Sequence, residues 1–433
     1  MEYHRRNIEK WLGKTLRTRP LVYLNGPRQC GKSTLVKNAY PEDRHSYFSF
    51  DSPINLTAAK SDPAKFIDSL PSNRLKIIDE VQLVPEIFPY LKIEVDKYRE
   101  KGKGTGLFLL TGSANLMALP RLAEALVGRM SVLTLLPFSS SEYKRTGINF
   151  IVRLFREKMK YNSYNEYNLL EIIENAAFPE PALNRKITRE QWFGDYLNTL
   201  IRRDVRTITD IREPSKMIML FSFLAMRAGS LINNSQIAQE AGLDIKTYER
   251  YKSAAVNTFI LFEIPAWSKP NNLSKRFTKS PKLFFTDTNL LAYLLRRKLK
   301  EIYNNDRTAM GHLFENFVAT EIIKNAASIS GLEISHFRTS DQKEVDFVLE
   351  KDNEVIGIEV KLNSTPNAND FNGLKLLREA VKDRFKLGII IYTGTTLAPF
   401  GDDLWAVPAC YLWEGLLNNV SNNTDIESRQ DAY

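Results

Sequence analysis

Cysteine is scarce: the 433-residue chain has only two, Cys30 and Cys410. Two thiols cannot build a disulfide framework, and metal-type C-x-x-C spacing is absent. No stretch approaches the ~18 consecutive apolar residues that would span a bilayer. Behind Met1-Glu2-Tyr3-His4-Arg5-Arg6 no apolar region of a secretory signal follows. These absences point to a cytoplasmic protein with no membrane partner. Internal repeats are also lacking.

What is present is globular. Hydrophobic residues make up 43% and charged residues 26%, the balance of a soluble fold. The length fits about three domains. Net charge is +9, and it is concentrated. Residues 241–300 hold twelve Lys or Arg against four Asp or Glu, a local +8. Such a cluster attracts polyanions, which makes the basic segment 246–282 a candidate DNA contact. An ordinary solvated surface is the competing reading.

The predicted architecture is α/β. From Leu21 to Phe138, short apolar runs alternate with helical stretches, as in a parallel sheet covered by helices on both faces. Strands are expected at Leu21–Asn25, Tyr47–Asp51, Leu75–Asp79, Leu107–Thr111 and Ser131–Leu135. Helices are expected over Glu86–Arg99 and Leu116–Leu126 between them. This core occupies 1–145. Residues 146–230 read as a helical lid or linker without a strong strand.

Residues 231–300 have the pattern of a helix-turn-helix: Ser235–Glu240, a turn at Gly242, then Lys246–Phe259. Leu261–Pro265 and Leu283–Thr286 flank a basic loop, Lys269–Lys279, and would make a hairpin wing. Lys246, Thr247, Arg250 and Lys252 would start the recognition helix. Lys269, Lys275 and Arg276 would meet phosphates. A module that only packs or oligomerises is an equal alternative.

Residues 305–418 continue as helix (Leu313–Asn325) and three strands (Ile334–Arg338, Val345–Glu350, Val355–Lys361). A helix (Asp370–Val381) and strands at Leu387–Tyr392 and Leu404–Val407 complete the block. Residues 419–433 form a polar tail.

Gly26-Pro27-Arg28-Gln29-Cys30-Gly31-Lys32-Ser33 fits G-x-x-x-x-G-K-[ST], with a strand before it and a helix after it. The glycines let the backbone wrap phosphates, and the helix N-terminus supplies positive potential. Lys32 is expected at the β and γ phosphates and Ser33 on Mg²⁺, with Thr34 closing the motif. The apolar strand Leu75–Ile78 ends in Asp79-Glu80. Asp79 would hold Mg²⁺, and Glu80 would polarise the attacking water. Thr111 and Ser113, leaving the next strand, are candidate γ-phosphate sensors or plain turn residues. Arg129 would reach the nucleotide of a neighbouring subunit in a homo-oligomer, or form a surface salt bridge. No Asn-Lys-x-Asp loop is present, so ATP is favoured over GTP.

A second site is expected near the C-terminus. Alternation puts Glu359 and Lys361 on one strand face. A hairpin would bring Asp346 opposite Glu359. The two carboxylates can hold Mg²⁺, with Glu315 adding a third and Lys361 orienting water. Asp, twelve residues, then Glu-x-Lys resembles the PD-(D/E)xK nuclease motif. A hairpin with a salt bridge is the plainer reading.

Taken together, several stretches resemble a prokaryotic family of AAA-type P-loop ATPases. They are Asn25–Thr34, Ile78–Gln82, Leu110–Ser113, Gly128-Arg129, Leu136–Ser139, Arg203-Asp204, Phe285–Thr288, Gly311–Asn316 and Glu344–Phe347. In that family the ATPase core precedes a winged-helix module and a restriction-endonuclease-like domain of unknown function. The family often reads Asp-Thr-Gly-Leu where this chain has Asp287-Thr288-Asn289-Leu290; Asn tolerates the left-handed conformation. The resemblance implies ATP hydrolysis coupled to DNA handling, with cleavage by the C-terminal domain or, alternatively, a nucleotide-gated switch whose C-terminal domain is inactive.

Overall fold

The computed structural model describes every residue except 1, 103, 114, 116–125, 127, 206–208, 210–212, 269–279, 340 and 416–433. The helix expected over Leu116–Leu126 lies almost wholly outside the described residues, as do the basic loop Lys269–Lys279 and the tail 419–433.

Five parallel strands form the first sheet: β1 (Leu21–Asn25), β2 (His45–Ser49), β3 (Leu75–Asp79), β4 (Phe108–Gly112) and β5 (Met130–Thr134). Their order is β2-β3-β4-β1-β5. Side chains alternate between two apolar layers. Val22, Leu24, Ile77 and Leu109 join Leu12, Leu35 and Leu133 on one face. Leu21, Tyr23, Ile78, Phe108 and Leu110 join Phe88, Leu91 and Val95 on the other. Burial on both faces explains the near-continuous apolar strands.

The expected strand at Tyr47–Asp51 lies two residues earlier. Ser52 is already the N-cap of the helix Pro53–Ser61, whose first position suits proline's fixed φ, so the chain turns before Asp51. β4 runs on through Gly112, which pairs with Asn25 of β1.

Helices predominate among the described residues of 150–257, including Asn234–Glu240 and Ile245–Asn257. Asn233 and Asp244 cap these two through side-chain acceptance from Gln236 N and Thr247 N. A two-stranded antiparallel ribbon follows, β7 (Leu261–Ile264) and β8 (Lys282–Phe285).

The second sheet is mixed. It has the order β6-β13-β14-β12-β11-β10-β9, where β6 is Asn162–Ser163, β9 Glu333–Arg338, β10 Glu344–Lys351, β11 Glu354–Lys361, β12 Phe385–Tyr392, β13 Thr396–Pro399 and β14 Leu404–Pro408. The long helix Arg307–Ala326 packs across it. Two strands were not expected. β6 is two residues long, too short to show alternation, and pairs with β13. Through it the helical lid enters the C-terminal sheet. One apolar cluster runs without a break from Phe150 through Phe221, Tyr251 and Phe317 to Trp413, so the middle and C-terminal blocks share a core.

The first sheet is joined to that shared core by a buried polar contact. Glu321 of the long helix is fully buried. It accepts from Ser140 N at 3.0 Å and from Ser140 Oγ at 2.6 Å. Lys324 lies 3.7 Å from it and donates to Phe138 O and Ala176 O. Glu321→Ala leaves these donors buried without their acceptor, which costs about 3–5 kcal/mol. Urea unfolding followed by tryptophan fluorescence is expected to show the loss, with Glu321→Gln milder because its amide oxygen still accepts from Ser140. An unchanged midpoint for Glu321→Ala would rule out this contact as a determinant of stability.

Candidate functional site

The loop after β1 is shaped by two glycines and one strained residue. Gly26 has φ +146°, and a Cβ built there would lie 1.9 Å from the Leu135 carbonyl oxygen. Gly31, φ +100°, is the N-cap of the helix Lys32–Ala39. Gln29 between them is left-handed at φ 61°. The buried Lys32 folds back on its own loop, with Nζ donating to Gly26 O at 2.9 Å and Pro27 O at 2.8 Å. A longer contact at 3.9 Å goes to Cys30 Sγ, so the ammonium is held by its own loop without a carboxylate in these bonds. Cys30 is fully buried, its Sγ 3.2 Å from Leu135 O. Ser33 follows on the helix's first turn, and Thr34 is exposed.

β3 brings the acids beside this loop, because β4 alone separates it from β1. Asp79 is held at both oxygens. Thr111 Oγ1 donates to Oδ1 and the Tyr47 hydroxyl donates to Oδ2. The same hydroxyl also reaches Ser33. Glu80 leaves the strand at φ 58°, a left-handed conformation that costs a non-glycine residue on the order of 1–3 kcal/mol. Burial pushes its carboxyl above the usual range; Lys32 and Gln82 pull it back. Gln82 Nε2 donates to Glu80 and, at 3.2 Å, to Ser113 Oγ. Thr111 and Ser113 are thus the holders of Asp79 and of the Glu80–Gln82 pair.

Three contacts on this site do not follow from spacing along the chain, although Arg203-Asp204 is among the stretches that resemble the ATPase family. Arg28 Nε donates to Asp204 at 3.0 Å, and Arg203 donates to Asp51 at 2.6 Å. Both partners sit on a π-helical turn, Leu200–Val205, a form common at functional sites. Arg6, from far upstream, donates to Cys30 O, Leu136 O and Glu142. Tyr47 and Gln82 were likewise not foreseen.

Arg129 is not brought to this loop. It precedes Met130, which pairs with Leu21 at the opposite edge of the sheet. Its guanidinium donates to both oxygens of Asp96 at 2.8 and 2.9 Å. The strand direction keeps Arg129 from the chain's own phosphate loop, and within the chain it forms the salt bridge that was the second of the two expectations for it.

The second expected site also forms a cluster. Asp346 of β10 stands one register step beyond the Phe347–Ile358 pair, opposite Glu359 of β11. A bulge between Val345 and Val348 turns the strand here. Asp346 Oδ2 accepts from Val360 N at 2.9 Å. Glu359 Oε1 accepts from Lys361 at 2.8 Å. Glu315 projects from the long helix into the same place. Burial, then the Asp346 charge, pushes the Glu315 and Glu359 carboxyls each up to about 8.

The cation among these acids is a side chain. Lys282, the first residue of β8, is 2% exposed. Its Nζ donates to Asp346 Oδ1 at 2.9 Å and to Glu315 Oε1 at 3.1 Å, with Glu344 at 4.0 Å. Burial disfavours this ammonium, but the three carboxylates outweigh it and hold it charged. The expected Mg²⁺ set of Glu315, Asp346 and Glu359 does not fit a metal here. Among the described residues no group of three or more His, Cys, Asp or Glu side chains is arranged to hold one. The physical reason is that Lys282 takes the oxygens a metal would share. Lys282 had been counted with the basic surface, and its place in the apolar run Leu283-Phe284-Phe285 was the overlooked signal. An open cleft of ≈ 400 Å³ runs alongside, lined by Arg307, His312, Glu315, Lys361 and Asn363.

The basic segment is divided in the same way. Lys246 and Arg250 are exposed. Lys252 is paired with Glu263 at 2.9 Å. Lys269, Lys275 and Arg276 lie outside the described residues. Among the described residues no helix is long and apolar enough to cross a membrane.

Residues 18–144 match a family described as an AAA domain. Residues 167–301 and 310–412 match two domains of unknown function, DUF8612 and DUF4143. An uncharacterized protein of Mycobacterium tuberculosis is 26% identical over 417 residues, covering 94% of this chain and 84% of that one. An uncharacterized protein of Haemophilus influenzae is 22% identical over 394 residues, covering 86% and 88%. Among solved structures, the Walker-type ATPase of Pyrococcus abyssi aligns with 66% of this chain and 94% of its own, at 15% identity and a TM-score of 0.40. The matched segment and the strand order together make the N-terminal unit an AAA-type P-loop fold. The descriptions of the other two segments assign neither a winged helix nor a nuclease.

Gly26 offers a direct check on the loop. In Gly26→Ala the new methyl meets the Leu135 backbone, which cannot yield without displacing the end of β5. ATP affinity, measured with a fluorescent analogue, is expected to fall at least about 10-fold. Undiminished affinity would mean that the loop's observed path is not the one that binds.

Proposed function

We propose that this chain binds ATP with Mg²⁺ and hydrolyses it, using the turnover as a switch on the blocks that follow. One observation carries the reading: Asp79 and Glu80 stand together beside the Gly26–Ser33 loop, each acid held by its own polar partner. The donor set suits the ligand. The loop's backbone and the helix N-terminus face phosphate, and Lys32, free of any acid in its observed bonds, can exchange loop carbonyls for phosphate oxygens. Ser33 and Asp79 would hold Mg²⁺, which supplies neutralisation of phosphate charge. Tyr47 and Thr111 fix the orientation of Asp79. Glu80 accepts the proton of the attacking water, and Gln82 fixes its carboxylate and couples it to Ser113.

A second reading adds nucleic acid as the partner of the switch. It is favoured by Lys246 and Arg250, exposed one helical turn apart at the start of Ile245–Asn257, where they can meet two phosphates of a DNA backbone.

Two measurements test these readings. Glu80→Gln is expected to slow phosphate release by roughly 10²–10⁴-fold while still binding ATP, whereas Lys32→Ala loses binding; wild-type turnover in Glu80→Gln would remove Glu80 from the reaction. For the second reading, duplex DNA affinity should decline linearly with log salt, and each of Lys246→Ala and Arg250→Ala should reduce that slope by about 1. Affinity indifferent to salt would exclude a phosphate-binding surface.

A further inference from the structure

The C-terminal carboxylate cluster has the residues of a metal site and the dimensions of something else. Its central cation–oxygen distances, 2.9 Å to Asp346 and 3.1 Å to Glu315, are hydrogen-bond lengths. Mg²⁺ demands oxygens at about 2.0–2.1 Å and Ca²⁺ at about 2.3–2.6 Å. The cation these acids hold is the lysine ammonium, which takes one oxygen of each. That ammonium arrives on a separate element, β8, which is anchored from two sides. Gly229 N donates to Leu283 O at 2.8 Å, and Leu231 bridges to Lys282. Gly229, at φ +77°, lies so close to Glu315 that a Cβ there would stand 2.9 Å from the carboxylate. The approach of the 229–231 segment to Glu315 thus requires glycine, and it closes the cluster over Lys282.

One atom of the cluster is left over. Glu359, 7% exposed, spends Oε1 on Lys361, while Oε2 is buried with no hydrogen-bond partner among the described residues. A cluster designed around a divalent ion would use this oxygen. Lys282, bound to Asp346 and Glu315, makes no hydrogen bond to it.

We propose that the carboxylate site of the second sheet takes a built-in ammonium in place of a divalent metal, Lys282 being that cation and the pin that fixes the ribbon β7–β8 to the C-terminal block. With Lys282 seated, the sheet has no metal-bearing centre, and the resemblance of Asp346, Glu359 and Lys361 to a nuclease motif does not extend to metal-assisted cleavage. The cluster instead joins the middle block to the C-terminal one. With Lys282 removed, the acids regain the chemistry of their residue types: Asp346 and Glu315 lose their counter-charge, Glu359 Oε2 becomes usable, and the set accepts one hard divalent cation. This inference is independent of ATP hydrolysis.

Mn²⁺ binding to the full chain without nucleotide, counted by electron paramagnetic resonance, tests it. Wild type and Asp346→Asn are expected to bind Mn²⁺ with equal stoichiometry, any weak binding near Asp79 being common to both. Lys282→Met is expected to gain one Mn²⁺ per chain, to lose it again in Lys282→Met/Asp346→Asn, and to melt at a temperature that rises with added Mn²⁺. Lys282→Arg keeps the charge and should gain none. A wild-type Mn²⁺ site that Asp346→Asn removes would overturn the proposal, because metal would then be displacing the lysine. So would a folded Lys282→Met that gains no site. Should Lys282→Met fail to fold, the comparison of wild type with Asp346→Asn decides alone.

Discussion

The two sheets are held together by charge buried where water cannot reach it. Arg6, Glu142, Glu321 and Lys324 meet around residues 136–142, all of them nearly or wholly inaccessible. Two are acids and two are bases, so the joint is neutral as a whole. Ser139 strengthens it by capping its own short helix, exchanging hydrogen bonds with Glu142 in a capping box. Buried ion pairs add little net stability over apolar packing, but a missing partner is expensive. Such a joint tolerates one relative placement of its members and penalises others. Placement, more than adhesion, is therefore its contribution.

That placement reaches the phosphate loop directly. Arg6 binds the Cys30 carbonyl with one nitrogen and Leu136 and Glu142 with another. The loop's backbone is thereby tied to the segment that Glu321 grips. From a second direction, Arg28 is tied to Asp204 of the helical block. Burial pushes the Asp204 carboxyl up, and Arg28 is foremost among the cations that counter it. A polyphosphate bound at the loop would compete with Asp204 for Arg28. The loop is thus wired to both later blocks through its backbone and through one side chain.

The sequence made the first sheet legible because its central strands β1, β3 and β4 are largely apolar on both faces and the described crossovers between β1 and β4 contain helices. Positions 26–33 and 79–80 were legible because phosphate and water chemistry need those residue types at those places in a strand-loop-helix unit. What remained hidden was of one kind: partners supplied by distant segments. Tyr47 and Gln82 hold the acids from neighbouring elements, Arg203 and Asp204 find their partners in Asp51 and Arg28 of the distant first block, and Arg6 precedes the sheet entirely. Spacing along a strand cannot reveal such partners. At Arg129 it left two readings open, and the direction of β5 gives the salt bridge with Asp96 within the chain. At the C-terminus the facing of Asp346 and Glu359 followed from strand alternation, but their counter-ion lay 64 residues upstream of Asp346 in what composition alone labelled a basic surface.

Lys282 also fixes what can move. Its ammonium is shared by the long helix through Glu315 and by β10 through Asp346, while its backbone is bridged to Leu231. Lifting β8 away from the sheet would leave a buried lysine and two buried acids unpaired at once, each a larger penalty than the loss of one surface contact. The 229–231 segment beside it passes so near the Glu315 carboxylate that even a Cβ at Gly229 would stand 2.9 Å from it. The ribbon, the long helix and β10 therefore shift together or not at all. Rearrangement within the chain falls instead to places where a polar tie can be exchanged for a ligand, and the Arg28–Asp204 pair beside the phosphate loop is such a place. On the proposed function, a signal starting at the phosphate loop would thus meet a C-terminal block tied together by Lys282.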